Sequence, residues 1–248
     1  MNKLFAAALL AAAVSTPAAA ADIKVLSAGA IEPGLAAFAQ IAKRETGHEL
    51  KIQFNTAPQI AKRLAAGESY DLLFSPPPAI AQAVKDGKIV AGSAVPVGRV
   101  GGGIIVRAGA TPPEVATVEA FRQALLAADS VVYNTASTGL YLDKLFADMG
   151  ILEQLKPKST RYPDGASVME HVIKGKGNEI GFGAITEIRM YEAKGLKLVG
   201  PLPAAVQNYT SYEAALMTGA TAVEPAQAVL RLLATPAGKA AFVSGGVE

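Results

Sequence analysis

From Asp22 onward the hydrophobic period switches repeatedly between two residues and about 3.6, and few folds accommodate a chain patterned this way. Ile23 to Leu26 is the first strand. Leu35, Phe38 and Ile41 or Ala42 then share one helical face, with Pro33 in the first turn and Gly47 just past the end. Leu50, Ile52 and Phe54 alternate as a strand, and Pro58 opens a helix carrying Ile60 and Leu64. The segment Asp71 to Phe74 returns as a strand, and Pro76-Pro77-Pro78 starts another helix, ending at Asp86-Gly87. The second half repeats the logic. A Gly-rich strand from Val100 to Val106 precedes a Thr117-capped helix, Val131 to Tyr133 is a strand, and Thr138-Gly139 leads into a helix. A short helix capped by Ser167 follows, then a strand Ile180 to Phe182, a helix Ile185 to Lys194, strands Leu196 to Val199 and Tyr212 to Met217, and two terminal helices. Strands joined by crossover helices predict an α/β protein with mostly parallel sheets flanked by helices.

The first 21 residues stand apart. Met1-Asn2-Lys3, the apolar run Leu4 to Val14 and the small residues Ala18 to Ala21 have the order of a secretory signal peptide, with cleavage expected before Asp22. The run is shorter than the roughly 20 residues of a membrane-spanning helix. There is no Cys, which excludes disulfides, zinc thiolates, a Cys nucleophile and the lipid anchor of a lipoprotein. A free periplasmic protein is therefore expected. The net charge of +2, with no basic cluster among aromatics, excludes a nucleic-acid partner. The absence of Trp argues against ligands gripped by wide aromatic platforms.

In open α/β sheets ligands bind beyond the carboxyl ends of the strands, where helix N-termini present unpaired N–H groups. Five turns occupy such positions: Ser27-Ala28-Gly29-Ala30, Asn55-Thr56, Ser75, Asn134 through Ser137-Thr138-Gly139, and Gly165-Ala166-Ser167. Small residues, hydroxyls and backbone N–H groups suit a desolvated anion, although the same residue types also serve as ordinary helix caps. Catalytic patterns are poor. His48 and His171 lack metal-like partners and read as structural or surface residues, so neither a metal nor a cofactor is expected. No Gly-x-Ser-x-Gly elbow, phosphate-binding loop or dinucleotide fingerprint occurs.

Several stretches resemble, in order and spacing, the type II periplasmic binding proteins, in particular the molybdate-binding branch of ABC-transporter receptors. They are Ile23 to Ala30, Ala61 to Gly67 with Tyr70 to Phe74, Thr138-Gly139-Leu140-Tyr141, Glu179 to Gly183 and Thr235 to Phe242. The resemblance implies two lobes joined by two crossing strands near Arg99-Val100 and Tyr209 to Tyr212. Lobe 1 would span 22–99 and 210–248, and lobe 2 would span 100–209. It further implies a monomer that captures a small anion between the lobes for an inner-membrane permease or a sensor. The hydroxyls that hold molybdate in that branch fall here on Ala30, near Thr56-Ala57 and on Ala184, so a carboxylate is expected instead. Arg99, at a crossing, would either fork onto that carboxylate or pair at the hinge surface. The segment Asn134 to Leu142, with Gly150 to Lys156, is also similar to exported aconitate isomerases of this fold. That similarity implies a proton-moving alternative, with Tyr141, Glu187 or Glu32 as its base.

Overall fold

The alternation read from the sequence becomes a chain of alternating strands and helices. The structure is a computed structural model and describes residues 20–248, so the signal peptide expected over residues 1–21 lies, but for its last two positions, outside the described residues. In the first lobe β1 (Asp22–Ala28), β2 (Glu49–Asn55) and β3 (Leu72–Ser75) run parallel in the order β2-β1-β3, joined by α1 (Glu32–Thr46) and α2 (Ala57–Ala65). The helix α3 (Pro77–Lys85) then leads to the long strand β4 (Val95–Arg107). In the second lobe β5 (Ser130–Asn134), β6 (Ser159–Tyr162) and β7 (Glu179–Ala184) are parallel, with α4 (Val118–Ala127), α5 (Ser137–Asp148), α6 (Leu152–Leu155), α7 (Gly165–Lys174) and α8 (Ile185–Arg189) around them. The strands β8 (Leu196–Pro201) and β9 (Tyr209–Leu216) and the helices α9 (Val223–Leu233) and α10 (Pro236–Ser244) complete the chain.

The strand β4 passes from one lobe to the other, and the chain returns between β8 and β9. The first half of β4, through Gly101, pairs antiparallel with β9, which itself lies against β3. From Gly102 onward β4 pairs instead with β7 and β8. The Gly-rich tract that marks this change of partners has a packing reason. A Cβ at Gly103 would stand 2.8 Å from Ile188 Cδ1 and 2.9 Å from Ile185 Cγ1, so only glycine lets α8 lie directly on β4.

The cores follow the same division. The first lobe buries Val25, Leu35, Phe38, Phe74 and Phe242 in one cluster, in which Phe242 contacts both Phe38 and Phe74. In the second lobe the strand period of two sorts neighbours onto opposite faces. Ile104, Val131 and Phe182 pack beneath α4 and α5, whereas Ile105 and Val132 pack beneath α7 and α8. Asp71, almost fully buried, joins the two ends of the chain. Its carboxylate accepts N–H bonds from Lys24 (2.7 Å), Thr221 (2.7 Å) and Ala222 (2.9 Å). Burial alone would raise its pKa, but those donors outweigh it and hold the carboxyl below its usual range.

Three local expectations need correction. Asp164, not Ser167, caps α7: its Oδ1 accepts the Ser167 N–H at 2.8 Å, which places Ser167 inside the first turn. The helix expected over Ile185 to Lys194 is α8 plus a separate 3-10 turn at Glu192–Lys194. It tightens because the N–H groups of Met190 and Tyr191 bond three residues back rather than four. The strand β6 was not expected at all, since Ser-Thr-Arg-Tyr at an edge carries no apolar run.

Candidate functional site

The turns that end β1, β2, β5 and β6 meet across a cleft between the lobes of about 360 Å³. From the first lobe come Gly29, Ala30 and Glu32, with Asn55, Thr56 and Ala57. From the second come Ser137, Thr138, Gly165, Ala166 and Glu187, and Tyr212 of β9 lies at the base. The volume falls in the range of small-ligand sites, which run from roughly 300 to 1,000 Å³.

Local folding leaves donors at this point. Asn134 Oδ1 accepts the N–H groups of Ala136 (3.0 Å) and Gly139 (3.2 Å), fixing the start of α5. The first-turn N–H groups of Ser137 and Thr138 then have no intrahelical acceptor. The Asp164 cap takes the Ser167 N–H and leaves Gly165 and Ala166 in the same condition at the start of α7. At α2, Gln59 Oε1 accepts the Thr56 N–H at 2.8 Å, and Ala57 opens the helix toward the cleft. Three helix N-termini therefore border one space, and their aligned dipoles favour negative charge there.

The side-chain charges run the other way. Glu32, Asp164 and Glu187 line the cleft, and among the described residues no Lys, Arg or His does. Glu187 has its pKa pushed up to about 7, first by burial and then by the charges of Glu32 and Asp164. Burial also raises Glu32, partly offset by Lys194. The Tyr212 phenol is pushed far up by its own burial and by Glu187. Glycine makes room for the Glu187 carboxyl on both sides: a Cβ at Gly29 would stand 3.0 Å from Oε1, and one at Gly165 would stand 2.6 Å from Oε2.

The family model for bacterial extracellular solute-binding proteins matches residues 23–248, which includes every element that borders the cleft. The chain belongs to this family. Among its relatives is an aconitate isomerase from a Pseudomonas species, 30% identical over 244 residues that cover 94% of this chain and 92% of the relative. A periplasmic molybdate-binding protein from Azotobacter vinelandii superposes with a TM-score of 0.74 at 16% identity, covering 91% of this chain and 98% of that one. The sulfate-binding protein SubI from Mycobacterium tuberculosis H37Rv gives 0.73 at 17% identity, covering 92% and 86% respectively. At these identities the two structures establish the two-lobed fold and nothing finer.

Of the residues singled out in the sequence, the fold brings Gly29, Ala30, Asn55, Thr56, Ser137 and Thr138 together at the cleft, with Glu32 and Glu187. Ser27 and Ser75 are fully buried at strand ends away from the lining; the Ser27 hydroxyl donates to the Ala28 carbonyl at 3.1 Å, and Ser75 Oγ has no hydrogen-bond partner among the described residues. Gly139 sits behind the lining, where a Cβ would overlap the Asn134 carbonyl, and Ser167 lies within α7 beyond it. Tyr141 is tied back, its hydroxyl donating to the Val206 carbonyl at 2.7 Å.

Arg99 lies outside the cleft. Its guanidinium stacks 4.2 Å from the Tyr209 ring centroid and pairs with Glu248 at 3.4 Å, while its backbone exchanges N–H bonds with Glu248 at 2.7 and 2.9 Å. Of the two roles left open by the sequence, the guanidinium makes a surface ion pair and no contact with the cleft. Asp164 and Tyr212 are lining residues that sequence reasoning did not single out. An Asp followed by Gly-Ala-Ser is a signal for a cap, and it was available.

Proposed function

We propose that this solute-binding protein captures a small carboxylate anion in the inter-lobe cleft and delivers it to an inner-membrane permease or a sensor. The observation that carries the reading is the convergence of the α2, α5 and α7 N-termini on a space that, among the described residues, no basic side chain lines. Backbone donors favour an anion, and a cleft this size has room for a ligand of several carbon atoms. Alanine at positions 30 and 184 of the lining argues against a molybdate-type oxyanion, because no side-chain hydroxyl is offered at either position. Each hydrogen bond missing from a charged ligand costs roughly 1.5–3 kcal/mol, so two missing ones weaken binding at least about a hundredfold.

A thermal-shift and calorimetric comparison of citrate, cis-aconitate, trans-aconitate and molybdate tests the reading, since a ligand that binds only the folded form raises the midpoint. At least one tricarboxylate should bind, and molybdate should bind far more weakly. Tight molybdate binding, or no response to any tricarboxylate, overturns it.

A second reading has its own support. The similarity to an aconitate isomerase, together with a cleft carboxyl poised near neutrality, suits an allylic proton shift. Ionised Glu187 would take a proton from the substrate methylene and, as the acid, return one to the far carbon of the allyl system. Proton NMR of cis- and trans-aconitate with the protein decides this: interconversion establishes the isomerase, and unchanged spectra with demonstrated binding leave the receptor.

A further inference from the structure

We infer that Glu187 enters ligand capture as the neutral carboxylic acid, donating its proton in a hydrogen bond to a ligand carboxylate, so that one proton enters the cleft with each anion. The inference rests on the carboxylate reading above and names the group that makes it electrostatically possible.

The difficulty it resolves is a matter of charge. An anion placed in this cleft meets helix N-termini but also Glu32, Asp164 and Glu187, and among the described lining residues it meets no cation. Aligned backbone dipoles contribute about half a positive charge per helix end, which does not balance three ionised carboxylates and a ligand. Removing one of those charges by protonation also converts a repulsive acceptor into a donor, and an O–H donor on a carboxylate is among the stronger hydrogen bonds available.

The geometry selects Glu187 among the three. It projects from the first turn of α8, which Gly103 holds against β4, and its two oxygens lie against Gly29 of one lobe and Gly165 of the other. A ligand seated on the α7 N-terminus, which begins at Gly165, is therefore within the same neighbourhood as this carboxyl. Asp164 is already engaged as the α7 cap, and Glu32 is the one that feels Lys194.

The groups facing Glu187 are Glu32 from α1, Asp164 at the head of α7, Tyr212 on β9 and Tyr191 just past α8. Both phenols are raised by their own burial and stay neutral. Arg189, two residues on, lies against the C-terminal Gly246 rather than the cleft. Burial first, and then the charges of Glu32 and Asp164, push the Glu187 carboxyl up to about 7, where uptake of one proton demands little.

The test is calorimetry of the intact mature protein with trans-aconitate and citrate, run from pH 6 to 8.5 in phosphate and in Tris, buffers whose heats of ionisation differ. The proton count per ligand should approach one above pH 7, and affinity should fall about tenfold per pH unit there, by linkage. Glu187→Gln keeps a donor but cannot titrate. Whatever its absolute affinity, it should show an uptake lower by about one proton and a flatter pH profile, and it corrects for protons that belong to the ligand. Glu187→Ala, which has no donor, should bind at least tenfold more weakly than Glu187→Gln. Equal proton counts and pH slopes in the wild type and Glu187→Gln overturn the inference and leave the carboxylate reading intact. Failure of the wild type to bind either probe at pH 6 overturns both.

Discussion

Replacing Glu187 by Gln should make the unliganded protein more stable at pH 8 than the wild type, and the advantage should fade on acidification. The Glu187 carboxyl is raised from 4.5 to about 7 by burial and by Glu32 and Asp164. Below pH 4.5 both the folded and the unfolded chain hold the proton, and the group costs nothing. Between 4.5 and 7 the unfolded chain releases it while the folded chain keeps it, so stability falls as pH rises; above 7 the cost is complete and constant. At roughly 1.4 kcal/mol per unit, most of this shift lies between pH 5 and pH 8 and amounts to about 2.5 kcal/mol. Because Glu187 lines a cleft that water enters, that figure is an upper limit. For a chain of this size it corresponds to about 5–10 °C in the unfolding midpoint. Thermal unfolding followed by circular dichroism at pH 5 and pH 8, in the wild type and Glu187→Gln, reads the effect as a difference of differences. A variant-minus-wild-type midpoint that is the same at both pH values, or that is larger at pH 5, would refute the reasoning.

Two other substitutions probe the scaffold and the site separately. Asp71→Ala strands three backbone N–H groups that now meet a carboxylate, and should cost about 3 kcal/mol or more in urea unfolding at pH 7; a loss below about 1 kcal/mol would show that water replaces the carboxylate freely. Gly165→Ala places a Cβ 2.6 Å from Glu187 Oε2, so the carboxyl must swing aside. Citrate affinity should then fall at least about tenfold by calorimetry with the midpoint of unfolding shifted little, and unchanged affinity would remove Glu187 from the contact shell.

How much of this was legible in the sequence depends on whether a feature is local. A strand such as β3, whose apolar run is continuous because both faces are covered, announces itself; β6 does not, because an edge strand with half-exposed Ser-Thr-Arg-Tyr needs only β5 beside it. The turns that line the cleft were legible for the same reason, since a strand end followed by small residues and a helix start is a local pattern. Charge at the site was not. Arg99 looked like the anion's partner because it was the one guanidinium near an expected crossing, but its orientation is set by Glu248 and Tyr209, one of them 149 positions away along the chain. Glu32 and Glu187 were named from the sequence as possible bases, but the same non-locality hid their clustering with Asp164: the three come from separate stretches and meet only because Gly29, Gly103 and Gly165 let α8 and two turns approach without side chains between them. On the proposed reading, anion affinity comes from backbone while the side chains are acidic, which inverts what charge composition suggests. That reading makes the decisive residue the carboxyl that gives up its charge most readily.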